Sequence, residues 1–408
     1  MKLNPRFAKR KIGRPKKLSP VRFLWNQLLF LVLAVIFIGG AQSNERLSLQ
    51  NNLQAELDHL AEVIKLPGAN LSIILPDGDI LALSSGYADR ELNIPMKPSN
   101  KMLSGSIGKT YVAAIAFQLI QENKLELSDK VIDLLKDEKW INQIPNINEL
   151  TVEMLLAHTS GLPRYEYFDD VWKSIKANPD RVWSVYDRMK YIFNAKPLHP
   201  AGKGWAYSDS NFILLGSIIE KITGLDYYDC FKSLISGLSD LKNTVPSDRR
   251  HIKGLASGYS GFLTKYGFPE KVAENETVSF NPQMEWCGGG VASTATDLAF
   301  WAKSLYEDKV ISPESVKKMV TPSDFNTDLP DGAKCGHGAI IDTCDSVLYY
   351  GHQGFFPGYL SIVQYSPDYR FSIGFQLNRD NPSTNLSLNQ LIKPFRKLVI
   401  LHLNSSKN

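Results

Sequence analysis

The chain has 408 residues, of which 43% are hydrophobic, and it carries a formal net charge of +4. This length suits one large folded domain or two modest ones. The excess of positive charge lies at the N-terminus, because residues 1–41 contain nine of the 46 Lys and Arg residues and no acidic residue. The remainder has 37 basic against 42 acidic residues, a net charge of about −5. A mildly acidic body has no basic patch for nucleic acid, so we expect no nucleic-acid partner.

The N-terminal segment has the order of an export signal. A basic run at residues 2–22 precedes an apolar core, Leu28–Ile38, and the small residues Gly39–Ala41. This order is typical of a secretory signal peptide, and the core is short of the ~20 residues that span a bilayer. We predict a cleaved signal in residues 1–41, with an uncleaved inner-membrane anchor at residues 23–41 as the alternative. Either reading places the rest of the chain in the periplasm or otherwise outside the cytoplasm.

The cysteines and histidines indicate neither a metal site nor another cofactor. The chain has no Cys-x-x-Cys and no His-Glu-x-x-His, and its seven histidines are scattered. We therefore predict no metal and no cofactor. Cys335 and Cys344 are close in sequence, but a turn predicted at Thr343–Ser346 holds Cys344 away from Cys335. No disulfide is secure, and the sequence leaves the pairing of Cys230, Cys287, Cys335 and Cys344 open.

Strand patterns lie near both ends of the chain and helical patterns lie between them. A turn at Pro76–Asp79 joins two short apolar runs into a predicted hairpin. The predicted helices are 53–64, 106–122, 150–158, 211–225, 294–306 and 387–403, and the predicted C-terminal strands are 336–341, 346–351, 359–365 and 371–377. This order favours an α/β (α+β) fold in which an antiparallel sheet from both chain ends is flanked by helices and carries an inserted all-helical region. Residues 46–403 are predicted to form a single domain.

Ser106 opens the apolar segment 106–122, and Lys109 follows one helical turn later. Residues three apart share a helical face, so the Lys109 amine can reach the Ser106 hydroxyl. The first turn of a helix also offers free backbone N–H groups that stabilise an oxyanion. The same Ser-x-x-Lys spacing recurs at Ser239/Lys242 and Ser315/Lys318. Those pairs lie in polar segments, so only Ser106 is a candidate nucleophile, with a plain helix start as the alternative.

Four further runs follow Ser106, and their order is more specific than any one of them. They are Leu150–Pro163, Gly202–Ser208 followed by Asn211, Gly288–Leu298 and Tyr350–Gly358. Together with Ser106 they resemble the serine β-lactamase and penicillin-binding-protein superfamily, specifically its branch of class C β-lactamases and D-Ala-D-Ala carboxypeptidases. The resemblance covers residues from about 50 to 400. It implies a β-lactamase/transpeptidase-like fold.

The resemblance also implies catalytic roles. Ser106 would be the nucleophile, Lys109 the cation that helps to deprotonate it, and Tyr207 the general base and acid. The backbone N–H groups of Ser106 and Phe355 would form the oxyanion hole, each contributing on the order of 3 kcal/mol. A tyrosine can act as base only where cations stabilise its phenolate, and Lys109 is the expected one.

Three more residues are implied at the substrate. Asp209 ends the motif Tyr207-Ser208-Asp209, where the family has an asparagine that can donate a hydrogen bond to a substrate carbonyl. His352 would form the polar wall of the substrate groove, and Gly354 would leave the strand edge open for the substrate backbone. An ionised Asp209 cannot donate, and His352 is mostly neutral at pH 7. We therefore expect poor β-lactam turnover and a preference for less anionic substrates. His158 is expected to be structural.

The resulting hypothesis is an exported serine hydrolase that acts through an acyl-enzyme, as a D-alanyl-D-alanine carboxypeptidase-like peptidase or an esterase. Its partner would be a small-molecule or peptide substrate, such as a peptidoglycan stem peptide, with membrane contact only through an uncleaved N-terminal segment. The alternatives are a β-lactamase, or a penicillin- or peptidoglycan-binding protein without turnover, which the departure at Asp209 favours.

Overall fold

The computed structural model describes residues 45–405, so the predicted signal segment lies outside the described residues. The described residues divide into two units at Asn51/Asn52, with residues 45–51 in the first and 52–405 in the second. Residues 45–51, the described part of the first unit, are helical. Among residues 45–405 no helix has the length and apolar character needed to cross a membrane. The second unit contains the sheet and the helices that form the candidate site.

The second unit has most of its strands near its start and its end, and most of its helices between them. Its strands are β1 Gly68–Ile74, β2 Ile80–Asp89, β3 Ile94–Pro95, β4 Met102–Leu103, β5 Val245–Pro246, β6 Ala273–Glu274, β7 Thr277–Val278, β8 Val291–Ser293, β9 Lys334–Cys335, β10 Ile340–Cys344, β11 Val347–Phe356, β12 Tyr359–Tyr365 and β13 Ser372–Leu377. Its α-helices are α1 at residues 52–63, then α2 Gly108–Gln121, α3 Val131–Leu134, α4 Val152–Leu156, α5 Asp169–Ala177, α6 Val185–Met189, α7 Asp209–Thr223, α8 Tyr227–Ser236, α9 Ala295–Tyr306, α10 Pro313–Met319 and α11 Leu388–Ser405.

The main sheet has eight strands in the order β3-β2-β1-β13-β12-β11-β10-β9. Every neighbouring pair in it is antiparallel. The two chain ends meet where β1 pairs with β13, with Ala69 opposite Leu377 and Ile74 opposite Ser372. The predicted fold class, an antiparallel sheet from both ends with a helical insertion, is confirmed.

Helices cover both faces of this sheet. Gly374 lies against α9, since a Cβ placed there would come within 2.2 Å of the Ala295 carbonyl oxygen. The next residue, Phe375, packs on Phe395 of α11, with ring centroids 5.7 Å apart. Successive side chains of a strand point to opposite faces, so α9 and α11 lie on opposite sides of the sheet. This explains why β13 is buried at every position.

Several element ends follow from local sequence signals. The predicted hairpin is confirmed, with Ile74 opposite Ile80 and a turn in which Gly78 has a φ of 94°. Thr294 caps α9 by accepting a hydrogen bond from the Asp297 backbone N–H. The predicted helix 211–225 begins two residues earlier, at Asp209, and ends before Gly224, whose φ of 69° stops a helix without strain.

The turn predicted at Thr343–Ser346 is displaced by one residue in the structure. The turn between β10 and β11 is made by Asp345 and Ser346, with φ values of 49° and 64°, and Cys344 pairs with Val347 in the ladder. Cys344 therefore ends a strand and does not lie in the turn. Both turn residues are left-handed, the conformation that matches the twist of a two-residue hairpin. All four cysteines are free thiols in the structure.

Candidate active site

Ser106 lies in a tight 3-10 turn, Gly105–Ile107, that leads directly into α2. The predicted helix thus begins with one turn of 3-10 helix, which is wound more tightly than an α-helix. The turn is held from the preceding side because the Ser104 backbone N–H donates to the Val291 carbonyl oxygen at 2.8 Å. Gly105 has a φ of 52°, and a Cβ on it would come within 2.6 Å of the Phe355 nitrogen. Glycine is therefore required at 105 both for its φ and for the close approach of β11.

Strand β11 lies against the serine turn. A Cβ on Gly354 would come within 1.9 Å of the Ser104 carbonyl oxygen, so any larger residue would push the turn away. Glycine at 354 thus lets the serine turn pack on the sheet, because a side chain at this position would project from the face of the sheet into the turn and would not cover the strand edge. The edge is open for another reason. Strand β10 pairs with β11 only as far as Gly351, so within the described residues His352–Phe356 has a neighbouring strand on one side only.

Lys109 is fully buried and uses three hydrogen-bond donors. Its Nζ donates to the Ser106 Oγ at 3.0 Å, to Asp209 Oδ1 and to the Gly288 carbonyl oxygen. Burial lowers the pKa of Lys109, but Asp209 and Tyr207 together raise it by more, and the net pKa lies above that of a free lysine. Lys109 is therefore an ammonium ion that donates to Ser106, and it has no lone pair with which to accept the serine proton.

Asp209 lies between two cations. Its Oδ1 accepts from Lys109, and its Oδ2 accepts from Arg164 Nη2 at 2.9 Å. Burial raises the pKa of Asp209, but Lys109 and Arg164 lower it by more, to well below its usual range. Asp209 is thus ionised and both its oxygens are occupied. The carboxylate contacts these two cations and lines a small cavity beside Ser106, so its predicted contact with the substrate stays a prediction.

Two further carboxyl groups, both only partly exposed, lie beside this ion pair. Glu166 Oε1 accepts from Arg164 Nε at 2.6 Å, and Glu285 Oε2 accepts from the Gly290 backbone N–H at 3.1 Å. Burial and the charge of Asp209 raise the pKa of Glu166 to about 8. Burial raises the pKa of Glu285 to about 8 against the opposing effect of Lys109. Both groups therefore carry a proton over most of the neutral range.

Tyr207 packs close to the nucleophile and its lysine. Its ring centroid lies 5.1 Å from Lys109 Nζ and also 5.1 Å from the Arg164 guanidinium carbon. In the described part of the chain its hydroxyl forms no hydrogen bond of ordinary geometry, although it is near enough to Ser106 for that serine to lower its pKa. Burial raises the pKa of Tyr207 to about 12, and Lys109 opposes this without overcoming it. The expected phenolate is therefore not the resting state.

Two histidines lie beside the Tyr207 ring. His158 stacks on Tyr207 with ring centroids 4.3 Å apart, and its Nδ1 accepts from the Ser208 backbone N–H at 3.1 Å and from Asn211 at 3.0 Å. This geometry agrees with the expected structural role of His158. The His352 Nδ1 lies 2.6 Å from the Gln353 carbonyl oxygen and must donate to it, which leaves Nε2 as an acceptor. Burial and Lys109 lower the pKa of His352 to about 4, so the ring is neutral at pH 7.

Two cavities meet at Ser106. The larger is a cleft of about 760 Å³ whose walls include Tyr207, His352 and Phe355. Most of its other walls are apolar or aromatic: Pro163, Phe168, Leu198, Trp205, Leu329, Ile340, Leu360 and Leu388. The smaller, of about 70 Å³, lies beside Asp209 and the two raised-pKa glutamates. Arg164 lines both. The cleft has the size and apolar character of a small-molecule site, with its polar groups concentrated near the nucleophile.

The structure brings the predicted site residues together from three distant parts of the chain: the serine turn with the start of α2, the start of α7 with Tyr207 before it, and β11. The Gly288 segment adds a carbonyl acceptor for Lys109 that was not predicted. Sequence reasoning missed Arg164, Glu166 and Glu285. One signal could have identified Arg164. An acidic residue in a buried motif needs a second cation, and Arg164 directly follows the run that ends at Pro163.

Known proteins match this chain over most of its length. The family model described as Beta-lactamase matches residues 53–395. Penicillin-binding protein 4* of Bacillus subtilis (strain 168) is 27% identical over 342 residues, which are 81% of this chain and 72% of that protein. Teichoic acid D-alanine hydrolase of Staphylococcus aureus is 26% identical over 320 residues, 76% of this chain and 71% of that protein.

Solved structures show the same fold. The D-amino acid amidase of Ochrobactrum anthropi SV3, complexed with L-phenylalanine amide, superposes with a TM-score of 0.75 and 22% identity, over 88% of this chain and all of that one. A penicillin-binding protein homologue from Pyrococcus abyssi gives a TM-score of 0.68 and 24% identity, over 86% and 77% of the two chains. The family match extends over most of the chain, from before β1 into α11, and the chain therefore belongs to the β-lactamase family of serine hydrolases.

Proposed function

We propose that this protein forms an acyl-enzyme on Ser106 and hydrolyses amides or esters of D-amino acids, as a D-alanyl-D-alanine carboxypeptidase-like peptidase or an esterase. The observation that carries the proposal is the position of Lys109, which contacts Ser106 and Asp209 at once in a fully buried setting. The names of three similar proteins support the substrate class, since they refer to penicillin binding, a teichoic acid D-alanine hydrolase and a D-amino acid amidase.

The protonation states define how the serine is activated. Lys109 is protonated and Tyr207 keeps its phenolic proton, so neither is a free base in the resting enzyme. In acylation, Ser106 Oγ bonds to the substrate carbonyl carbon and its proton passes to the Tyr207 oxygen, while Tyr207 delivers its own proton to the leaving group. Deacylation runs the same relay, with water as the nucleophile and Ser106 as the leaving group. Lys109 stabilises the negative charge that develops on either oxygen.

The test uses the full-length protein with a fluorophosphonate label and four substrates: D-alanine p-nitroanilide, a D-Ala-D-Ala peptide, a D-alanyl ester and nitrocefin. Ser106→Ala should abolish labelling and reduce turnover on the order of 10⁶-fold, because serine and its proton relay act as one unit. Ser104→Ala is the matched control. Its hydroxyl has no hydrogen-bond partner among the described residues, and this variant should label like the parent. Full labelling of the Ser106→Ala protein would refute the assignment.

The same panel separates the alternatives. Turnover of nitrocefin at roughly 10⁴ M⁻¹s⁻¹ or more would indicate a β-lactamase. A labelled penicillin adduct that forms but does not clear, with no turnover of the other substrates, would indicate a binding protein. We expect the D-alanyl substrates to be turned over fastest.

We propose further that residues 1–41 direct export and that the catalytic unit works outside the cytoplasm. The basic run followed by a short apolar core supports this. A reporter that fluoresces only in the cytoplasm, fused after residue 60, should stay dark, and should become bright when residues 1–41 are deleted. A bright fusion with the segment intact would contradict export.

A further inference from the structure

Arg164 has more hydrogen-bond donors than partners. Its Nε donates to Glu166 at 2.6 Å, its Nη1 to the Tyr167 hydroxyl at 2.8 Å and its Nη2 to Asp209 at 2.9 Å. A guanidinium has five N–H groups. One N–H on each of Nη1 and Nη2 therefore has no acceptor among the described residues. These two groups belong to a side chain that lines the cleft beside Ser106 and is about one quarter exposed.

The cleft otherwise lacks a cationic donor. Of the residues that line it in the described part of the chain, Arg164 is the only lysine or arginine. His352 is neutral and uses its one N–H on the Gln353 carbonyl oxygen, so it offers only an acceptor. Asp209 is an ionised acceptor that faces Lys109 and Arg164. A substrate oxygen other than that of the reacting carbonyl would therefore meet one charged donor among the described lining residues, the guanidinium.

Its three partners hold this guanidinium in place. Asp209 and Glu166 accept hydrogen bonds from two of its nitrogens, and the centroid of the Tyr167 ring lies 4.2 Å from its central carbon. Such a preorganised fork loses little conformational entropy when it binds a further acceptor. Because Asp209 also neutralises Lys109, these three groups together carry a net positive charge beside the nucleophile while Glu166 keeps its proton. Asp328 is the acidic residue among those that line the cleft in the described part of the chain.

We propose that Arg164 is a substrate-binding residue, whose two spare N–H groups bind a carbonyl or carboxylate oxygen of the substrate next to the scissile bond. The proposal rests on the serine hydrolase function proposed above and names a substrate feature for it: an oxygen acceptor beyond the reacting carbonyl. It also modifies the expectation of weak attraction for anionic substrates, since the charge of Asp209 is paired and Arg164 faces the cleft.

Arg164→Lys separates substrate binding from a purely structural role. Lysine keeps the positive charge beside Asp209, but its three donors match the three existing partners and leave none for the substrate. Arg164→Gln removes the charge as well. Arg250→Gln is the matched control, because Arg250 pairs with Asp180 at 2.7 Å and with the Val278 carbonyl oxygen at 2.8 Å and does not line the cleft.

Three probes of the full-length protein distinguish the source of the oxygen. p-Nitrophenyl acetate has neither a second carbonyl nor a carboxylate, N-acetyl-D-alanine p-nitrophenyl ester has an amide carbonyl on the acyl side, and S-acetylthioglycolate has a carboxylate on the leaving group. Arg164→Lys should lower kcat/KM about 10- to 100-fold for one of the last two, mostly through KM, and about 3-fold or less for p-nitrophenyl acetate. The probe that loses activity identifies the oxygen that is bound.

Two results would overturn the proposal. One is an equal loss on all three probes in the Arg164→Lys protein, which would make Arg164 a structural tie. The other is no loss on any probe. Failure of the underlying function looks different, because the parent protein would then show no turnover of any probe that depends on Ser106.

Discussion

The buried pair of Lys109 and Asp209 should support the fold as well as the chemistry, and Asp209→Ala tests this directly. The Lys109 side chain is fully buried and that of Asp209 is 9% exposed. The substitution leaves the ammonium with two neutral acceptors, the Ser106 hydroxyl and the Gly288 carbonyl. Removing one partner of a buried ion pair typically costs 3–5 kcal/mol. We expect a loss of about 4 kcal/mol in the free energy of unfolding, measured by urea denaturation at pH 7.

A double variant gives the prediction its control. Lys109→Met together with Asp209→Ala removes both charges, and the aromatic ring of Phe212, 5.5 Å from Lys109 Nζ, offers the new methionine an apolar contact. Replacing a whole buried pair by apolar residues is often close to neutral. The double variant should therefore be more stable than Asp209→Ala alone by about 2 kcal/mol or more, although it is inactive. If Asp209→Ala stays within about 1 kcal/mol of the parent, the pair is not desolvated as described.

The pH dependence of this difference has a defined sign. The pKa of Asp209 is depressed in the folded protein, so its contribution is fully present above its unfolded pKa of about 4 and is lost as the pH falls further towards the folded pKa. The stability gap between the parent and Asp209→Ala should be constant from pH 5 to 7 and should narrow below about pH 4. A gap that widens on acidification would contradict the ionised state of Asp209.

Three further substitutions test single elements of the site. Tyr207→Phe should lower kcat about 10²- to 10⁴-fold with little change in melting temperature, since the lost hydroxyl has no hydrogen-bond partner among the described residues; an unchanged kcat would exclude the relay. Glu166 ionises as the pH rises through about 8, and its carboxylate then competes for the Arg164 guanidinium beside Tyr207, so kcat/KM of the parent should fall above this pH. Glu166→Gln should abolish this fall at high pH, whereas Glu285→Gln should keep it. Gly354→Ala should cost about 1–3 kcal/mol and at least tenfold in kcat/KM through displacement of the serine turn, measured against Gly237→Ala, where the nearest atom to a new Cβ is 3.7 Å away.

Much of the fold could be predicted because its signals are local. The hairpin turn at Asp77-Gly78 and the cap at Thr294 each depend on a few neighbouring residues. The turn at Asp345-Ser346 was misplaced because it contains no glycine or asparagine to mark which two residues become left-handed. Register in that hairpin is set by pairing across the whole sheet, which a short stretch of sequence does not reveal.

Some of the site residues could likewise be predicted from the sequence and others could not. The order of the motifs was enough to predict that Ser106, Tyr207 and His352 lie together. Arg164 escaped notice because its role depends on Asp209, which is 45 residues further along the chain, and because an arginine after a loop usually lies on a solvated surface. The raised pKa of Tyr207 could not be predicted either. It results from burial outweighing a neighbouring cation, and this balance depends on the packed structure.

The pairing of β1 with β13 has a consequence for biogenesis. Strand β1 is buried at all seven positions, yet one of its two neighbours is separated from it by about 300 residues of chain. A ribosome or an export channel delivers β1 first, so this apolar strand stays unpaired on one side until almost the entire chain has emerged. An unpaired apolar strand is the kind of segment through which nascent chains associate wrongly. Truncation before residue 372 should therefore yield an aggregating chain and not a smaller folded enzyme, and late folding should make the protein dependent on holding chaperones during its synthesis.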